Sequence, residues 1–319
     1  MFKHTSERRE TVENTPIKGL IETWHSLSDE ERALAQAVVA EMGRRFASVV
    51  GTPREAYDFM TAATPIADGM VCQAIDEGGV RGWWVRPVGA PIDRAILFLH
   101  GGAYLLGSAE AYRGFASQIA VRTGCAVFVA DYPLAPEHPF PAAYDATVAA
   151  RVWLGTQGVS QIALVGDSAG GALALASLNE SGAGSPMIMA AVVFSPWTDL
   201  AFTGPSFTSP ETYDPVFKPG LLAGAAATYL GAADPRDGRA SPLYAIPDGI
   251  PPLAIQVGTD ELLLDDARRY AALAAAKGGE VRLDLFEGLH HVFQRSTEDL
   301  PSACRALDDA AGFLSRHWR

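Results

Sequence analysis

Short apolar runs typical of β-strands alternate with helical patterns from residue 94 onward, and this alternation limits the fold more than any other feature. Several runs, among them Ala-Ile-Leu-Phe-Leu and Ala-Val-Phe-Val-Ala, are continuously apolar, as in strands buried on both faces. Such alternation predicts an α/β fold with a mostly parallel sheet flanked by helices. The eight predicted strands cover residues 70–76, 81–86, 94–99, 126–131, 161–165, 190–194, 253–257 and 281–286. The predicted helices of the alternation lie near 109–122, 141–155, 169–180, 263–277 and 299–316.

Three segments add to this pattern. The first two predicted strands are joined by Glu77-Gly78-Gly79, which indicates a hairpin turn. Residues 1–50 precede every predicted strand and carry a helical pattern over 29–50. Residues 200–245 are rich in Pro, Gly and Ala and carry a helical pattern near 218–230. We expect these last two segments to lie over the carboxyl ends of the strands, where open α/β sheets bind ligands.

The composition narrows the range of partners. The 319 residues include 25 Lys and Arg against 37 Asp and Glu, a formal net charge of −12, which disfavours binding to nucleic-acid phosphates. With 48% hydrophobic and 19% charged residues, the chain can bury a sizeable core and is not disordered as a whole. Because of its negative net charge, the chain is not expected to have a nucleic-acid partner.

The cysteines and the apolar runs indicate the compartment. Cys72, Cys125 and Cys304 cannot all pair within one chain and fit no zinc pattern, which favours a reducing compartment and no bound metal. The first 16 residues lack the apolar stretch of a signal peptide, and no run of about 18 apolar residues occurs that could cross a membrane. We expect a soluble, cytoplasmic protein with no membrane partner.

The most specific motif is Gly166-Asp167-Ser168-Ala169-Gly170, which directly follows a predicted strand and precedes a predicted helix. A serine on such a tight turn adopts a strained backbone, and the flanking glycines leave room for it. The hydroxyl then projects above the sheet beside the positive end of the helix. Ser168 is therefore the candidate nucleophile.

A second motif, His100-Gly101-Gly102-Ala103-Tyr104, also follows a predicted strand. Acyl transfer creates a negatively charged oxygen that needs preorganised N–H donors. Consecutive glycines let the backbone approach that oxygen closely. We expect Gly101 and Gly102 to supply two donors of an oxyanion hole and Ala169 to supply a third.

A serine nucleophile needs a base and an acid that orients the base. Of the seven histidines, only His290 and His291 follow a late strand, as the chain order Ser…acid…His requires. The acid should follow the penultimate predicted strand. That segment offers four carboxylates, on Asp260, Glu261, Asp265 and Asp266.

Together these motifs resemble the bacterial hormone-sensitive-lipase-like esterases of the α/β-hydrolase fold. Two further blocks carry the resemblance. Asp131-Tyr-Pro-Leu-Ala-Pro-Glu-His-Pro-Phe-Pro-Ala-Ala143 is similar to the family's DYRLAPE…FPA loop, and Ser195-Pro-Trp-Thr-Asp-Leu200 looks like its SPxxDL block. The chain departs from the family at Ala103, where HGGG has its third glycine, and at Pro133, where DYRLAPE has arginine.

The resemblance selects among the open candidates for the base and the acid. The family motif G-x-x-H-x-F matches with His291 as its histidine, which makes His291 the base and His290 a neighbour. The family's D-x-L-x-D pattern keeps its register only with Glu261 in the acid position. Asp260 stays an alternative that needs one extra residue in the turn, and Asp265 and Asp266 are expected to cap the following helix.

The resemblance also implies the organisation and the activity. Residues 1–50 and 200–245 would form a cap, and residues 51–199 and 246–319 the catalytic domain. We expect a serine carboxylesterase that acts on a small, short-chain ester without any cofactor, with Tyr104 and Trp197 at the substrate pocket. Trp197 follows a buried strand closely, so the alternative for this residue is a core tryptophan that seals the sheet against a helix. A homodimer is compatible with these expectations. A lactone hydrolase or a metabolite deacetylase with the same triad is the alternative, and a non-catalytic receptor is disfavoured because His291 is present.

Overall fold

A computed structural model of the chain describes residues 17–180 and 184–318. Within these ranges it has nine strands, which are β1 Leu20–His25, β2 Met70–Glu77, β3 Val80–Pro87, β4 Arg94–Leu99, β5 Ala126–Ala130, β6 Gln161–Asp167, β7 Met187–Phe194, β8 Leu253–Asp260 and β9 Val281–His290. The α-helices there are α1 Asp29–Ser48, α2 Pro53–Thr61, α3 Arg113–Thr123, α4 Ala142–Thr156, α5 Ser168–Ala176, α6 Pro205–Thr208, α7 Pro219–Leu230, α8 Leu264–Ala276 and α9 Pro301–His317. None of these helices is long and apolar enough to cross a membrane.

All nine strands form one sheet in the order β1-β9-β8-β7-β6-β4-β5-β3-β2. Strand β3 pairs antiparallel with both β2 and β5, and the other neighbouring strands pair parallel. The predicted α/β class and the mostly parallel sheet are therefore confirmed. The predicted hairpin is also present, because Gly78 and Gly79 have φ of 61° and 79° and Glu77 pairs with Val80.

The predicted number of eight strands is wrong, because residues 20–25 form a ninth. Strand β1 pairs parallel with β9 at the edge of the sheet, so this part of the 1–50 segment belongs to the sheet. The strand is short and exposed, with Ile21 at 65% and Trp24 at 49% exposure, so it lacks the apolar signal of the central strands. The expectations for residues 1–16 lie outside the described residues.

The core consists of two layers, one on each face of the sheet. Leu97 and Leu99 of β4 pack on the layer that contains α4, α5 and α8. Ile96 and Phe98 point to the opposite layer, which contains α3 and α9. This period of two is the alternation of side chains along a strand. Strands β4, β6, β7, β8 and β9 run parallel to one another, so their carboxyl ends lie along the same edge of the sheet. The predicted site residues follow these strand ends.

Candidate active site

Ser168 lies on a sharp turn between β6 and α5. Its φ is +53°, in the left-handed region that non-glycine residues rarely adopt. The turn is closely packed, since a Cβ on Gly170 would lie 2.0 Å from the Leu99 carbonyl oxygen. A Cβ on Gly166 would lie 2.5 Å from the carbonyl oxygen of Gly170. The structure thus has the strand–turn–helix arrangement that the sequence predicts around the candidate nucleophile.

The glycine loop after β4 has an unusual backbone. Gly102, Ala103 and Tyr104 have φ of 118°, 54° and 64° in succession. The Gly101 N–H donates to Asp167 Oδ1 at 2.9 Å and to the Tyr112 hydroxyl at 3.1 Å. The expectation that Gly101 donates to an oxyanion is therefore corrected, because a buried carboxylate already occupies its N–H.

Other N–H groups remain available near the nucleophile. Ala169 is the second residue of α5, and N–H groups in the first turn of a helix have no partner within the helix. Within the described residues, the backbone N–H groups of Gly102 and Ala103 make no hydrogen bond to loop or cap carbonyls. The candidate oxyanion donors are thus Gly102, Ala103 and Ala169, and Ala103 is the one that sequence reasoning missed.

His291 and Glu261 are in direct contact. The Nδ1 atom of His291 lies 2.7 Å from Glu261 Oε2, and both residues are buried. An ionised carboxylate only accepts hydrogen bonds, so the imidazole carries its proton on Nδ1 and leaves Nε2 as the basic nitrogen. Glu261 Oε1 accepts a second set of bonds, from the Ser195 hydroxyl and the Gly258 N–H, each at 2.8 Å.

Asp260, the alternative acid, makes a different set of contacts. It is the last residue of β8 and pairs in register with His290 rather than His291. Its carboxylate contacts the Thr259 hydroxyl at 3.3 Å. Burial raises the pKa of Asp260 above its ordinary value, and the Thr259 hydrogen bond opposes that change. Of the two carboxylates, Glu261 is the one that the structure brings to His291.

His290 is buried, and neither of its ring nitrogens has a hydrogen-bond partner in the part of the chain that the structure describes. Burial, together with the nearby charge of Arg295, lowers the pKa of His290 to about 3. The imidazole of His290 is therefore neutral at physiological pH. The structure therefore distinguishes the two adjacent histidines, because His291 contacts a carboxylate and His290, among the described residues, does not.

Ser195 is a site residue that sequence reasoning named only as part of the SPxxDL-like block. It directly follows β7, with φ of +46°. Its hydroxyl donates to Glu261 and accepts the Val292 N–H at 3.2 Å. Ser195 thereby links Glu261 to Val292, the residue that follows His291. The signal available in the sequence was a serine placed immediately after a continuously apolar strand.

Tyr104 and Trp197, the predicted pocket residues, lie in one aromatic cluster. Both are fully buried, with ring centroids 6.0 Å apart. Tyr104 also stacks on Tyr229 of α7 at 3.8 Å, and Trp197 contacts Phe202 at 6.0 Å. The cluster joins the glycine loop to the 200–245 segment.

The 200–245 segment also holds the loop that carries Glu261. Asp214 is buried and accepts the N–H groups of Val216, Phe217 and Leu262 at 2.7–2.9 Å. The Ser206 hydroxyl donates to the Leu262 carbonyl at 2.7 Å. The Phe217 ring meets His291 edge to face, with centroids 4.9 Å apart. Both backbone groups of Leu262, the residue after Glu261, are thus hydrogen-bonded by the segment.

The two aspartates expected to cap α8 have other partners. Both lie in its first turn, but the Asp265 carboxylate accepts the Ser206 N–H at 2.6 Å. Asp266 accepts the N–H groups of Thr198 and Asp199 at 2.7 and 2.8 Å. Burial raises the pKa of Asp266 well above its ordinary value. The expectation of capping is corrected, because tertiary contacts take both carboxylates.

Within the ranges that the structure describes, no group of three or more His, Cys, Asp or Glu side chains is placed to hold a metal ion. The polar side chains at this edge of the sheet instead form hydrogen bonds to one another and to the backbone. The arrangement brings together a strained serine, a histidine bonded to a carboxylate, and backbone N–H donors. Chemically, such a set can transfer an acyl group through a serine ester.

Known proteins match both the sequence and the fold. A family model described as the alpha/beta hydrolase fold matches residues 96–295. An acetyl-hydrolase of Streptomyces hygroscopicus is 40% identical over 234 residues, which cover 72% of this chain and 78% of the relative. An esterase of Acinetobacter venetianus is 37% identical over 241 residues, which cover 74% of this chain and 79% of the relative.

The solved structures agree with the sequence relatives. An esterase from the bacterial hormone-sensitive lipase family has a TM-score of 0.84 and 38% identity, covering 91% of this chain and 99% of that chain. The family resemblance that the ordered motifs indicate is confirmed, and identities of 38–40% show membership of the family as well as a shared fold. The chain belongs to the bacterial hormone-sensitive lipase family of the α/β-hydrolase fold.

Proposed function

We propose that this protein is a serine carboxylesterase that uses Ser168 as nucleophile, His291 as base and Glu261 as the orienting acid. The observation that carries the proposal is the 2.7 Å contact between His291 and Glu261 at the sheet edge where Ser168 occupies its strained turn. Relatives named esterase and acetyl-hydrolase support the same reaction class.

In the first half of the reaction, His291 Nε2 accepts the Ser168 proton while Oγ attacks the ester carbonyl carbon. The carbonyl oxygen becomes negatively charged and receives hydrogen bonds from the N–H groups of Gly102, Ala103 and Ala169. Glu261 stabilises the imidazolium without accepting its proton. When the carbon–oxygen bond to the alcohol breaks, the imidazolium returns the proton to the leaving oxygen.

In the second half, water takes the place of the alcohol. His291 accepts a proton from the water, whose oxygen attacks the acyl carbon of the Ser168 ester. The same N–H donors stabilise the second tetrahedral intermediate. Breakdown returns the proton to Ser168 and releases the carboxylic acid. Neither half needs a metal or an organic cofactor.

Small esters with short acyl chains are the proposed substrates. The buried rings of Tyr104, Trp197 and Tyr229 fill space beside the glycine loop, which limits the room for a long acyl chain. The Streptomyces relative is named an acetyl-hydrolase, so acetyl esters, including those of an acetylated metabolite, are the first to test.

The proposed cap consists of residues 200–245 and the helical part of residues 1–50, with the catalytic domain in 51–199 and 246–319. The contact of Phe217 with His291 and the stacking of Tyr229 on Tyr104 support a covering role for the 200–245 segment. We also propose a cytoplasmic location, which the three unpaired cysteines favour. A homodimer stays a proposal that sedimentation can test.

Replacing Ser168 with Ala tests the function. Hydrolysis of p-nitrophenyl acetate should fall by about 10⁴-fold or more, because loss of a serine nucleophile leaves only the oxyanion donors and binding. A fluorophosphonate should label the wild type at Ser168 and should not label the variant. Ser160→Ala, at an exposed serine, is the matched control and should keep wild-type rates. Near-wild-type hydrolysis by Ser168→Ala would refute the assignment.

A further inference from the structure

Asp167, the residue before Ser168, holds the start of the glycine loop. Its carboxylate is 1% exposed. Oδ1 accepts the Gly101 N–H and Oδ2 accepts the Tyr112 hydroxyl, each at 2.9 Å. A Cβ on Gly101 would lie 2.5 Å from Asp167 Oδ2, so the two chain segments are in close contact. The position of the glycine loop therefore depends on a carboxylate that belongs to the nucleophile's own turn.

The Tyr112 hydroxyl connects this carboxylate to two other parts of the chain. It also accepts the Gly101 N–H at 3.1 Å and lies 2.9 Å from the Tyr57 hydroxyl on α2. Arg295 Nη1 reaches the hydroxyls of Tyr57 at 3.3 Å and Tyr112 at 3.4 Å. Arg295 lies four residues after His291, and its own carbonyl oxygen accepts the Thr64 hydroxyl at 2.9 Å.

The two charged side chains of this group, Asp167 and Arg295, are joined through the Tyr112 hydroxyl. Within the ranges that the structure describes, Asp167 makes no direct ion pair. A buried carboxylate without compensation is strongly disfavoured. Arg295 is the positive charge that the hydrogen-bonded path reaches, and an arginine stays charged at every physiological pH.

We propose that Arg295 is a positioning residue for the oxyanion loop: through Tyr112 it keeps Asp167 as the carboxylate that holds the Gly101 N–H. The proposal rests on the proposed function, because it assigns the loop's Gly102 and Ala103 N–H groups to the oxyanion. It adds that the helix α2 and the segment after His291 fix the donors without touching the substrate.

The surroundings of Asp167 give the proposal a pH signature. Burial raises the pKa of Asp167, whereas Arg295, Tyr112, His100 and the Gly101 N–H lower it. Burial lowers the pKa of His100, so its ring is neutral near pH 7. Burial raises the pKa values of three facing hydroxyls, which stay protonated, on Tyr57, Tyr112 and Tyr132. Arg295 is thus the charged group whose removal would let Asp167 take up a proton at higher pH.

Protonation of Asp167 should weaken the hydrogen bonds that position the glycine loop and so lower activity. A proton on Oδ2 would meet the O–H that Tyr112 now donates to that oxygen, and the bond from the Gly101 N–H to Oδ1 would lose its charge assistance. Activity would fall as pH falls through the pKa of Asp167. Raising that pKa by removing Arg295 would therefore move the acid limb of the kcat/KM profile toward higher pH.

The experiment compares Arg295→Met and Arg295→Lys with the wild type on p-nitrophenyl acetate between about pH 5 and pH 9. In Arg295→Met we expect the acid limb to move up by about one pH unit or more, the usual effect of losing an opposite charge. At neutral pH kcat should fall about tenfold while KM stays within about twofold, as expected when transition-state donors are displaced. Arg295→Lys keeps the charge and should keep the wild-type limb.

Asp167→Asn separates this route from an effect of Arg295 on His291 itself. In the Asp167→Asn background, Arg295→Met should cause no further shift of the acid limb. A shift that persists in that background, or a wild-type profile in Arg295→Met, would overturn the proposal. If Arg295→Met does not fold, Tyr112→Phe breaks the same path and should lower kcat, and an unchanged kcat there would also overturn it. Fluorophosphonate labelling of the wild type at Ser168 tests the proposed function separately.

Discussion

Replacing Glu261 with Gln is the perturbation that best distinguishes the proposed acid from its neighbour. The Glu261 carboxylate is fully buried and makes contacts of 2.7–2.8 Å to His291, Ser195 and Gly258. An amide at this position can present a donor to His291 Nδ1, which favours the tautomer with its proton on Nε2. In a comparable serine hydrolase triad, acid-to-amide replacement lowers kcat by about 10⁴-fold. That loss corresponds to about 5.5 kcal/mol of barrier.

Asp260→Asn is the matched control, because it makes the same chemical change one residue away. Asp260 is half-buried and has one long side-chain hydrogen bond of 3.3 Å, to Thr259. We expect kcat to change by less than about threefold, which is below about 0.7 kcal/mol. Steady-state hydrolysis of p-nitrophenyl acetate measures both effects, and thermal unfolding shows whether each variant is folded. A larger loss in Asp260→Asn than in Glu261→Gln would contradict the assignment of the acid.

Two further predictions concern packing around the site. Trp197→Ala should destabilise the protein by about 3–5 kcal/mol, because the indole is fully buried against Tyr104 and Phe202. Denaturant unfolding measures this loss. Hydrolysis of esters of increasing acyl length tests whether Trp197 lines the substrate pocket. A variant with wild-type stability and an unchanged acyl-length preference would contradict both the packing role and the pocket role of Trp197. Gly170→Ala should abolish activity and lower Tm, since its Cβ would lie 2.0 Å from the Leu99 carbonyl oxygen. Gly220→Ala, where a Cβ meets nothing within 4 Å, is its control and should resemble the wild type.

The central sheet and the nucleophile turn could be predicted from the sequence because their signals are local. A continuously apolar strand, two glycines and a serine fix the turn around Ser168 without reference to the rest of the chain. Strand β1 could not be predicted this way, because its pairing with β9 joins residues about 260 positions apart and leaves Ile21 and Trp24 exposed.

Which N–H groups of the oxyanion loop are free to donate could also not be predicted from the sequence. The glycines of the second motif predict a loop that approaches an anion, but they do not say which anion each N–H meets. The Gly101 N–H donates to Asp167, so the proposed donors lie one residue further along, on Gly102 and Ala103. Ala103, which stands where the family motif has its third glycine, keeps the left-handed backbone that favours glycine, with φ of +54°.

The acid position shows how the fold resolves an ambiguity that spacing leaves open. Pairing between β8 and β9 shifts register between Gly258 and Asp260, and this irregularity leaves Asp260 opposite His290. Glu261 follows the end of β8, and its longer side chain folds back so that Oε1 accepts the Gly258 N–H while Oε2 reaches His291. Asp214 and Ser206 bind both backbone groups of the next residue from the other side. Glu261 is therefore held between the sheet and the 200–245 segment, so the segment that we propose covers the substrate also helps to position the proposed acid.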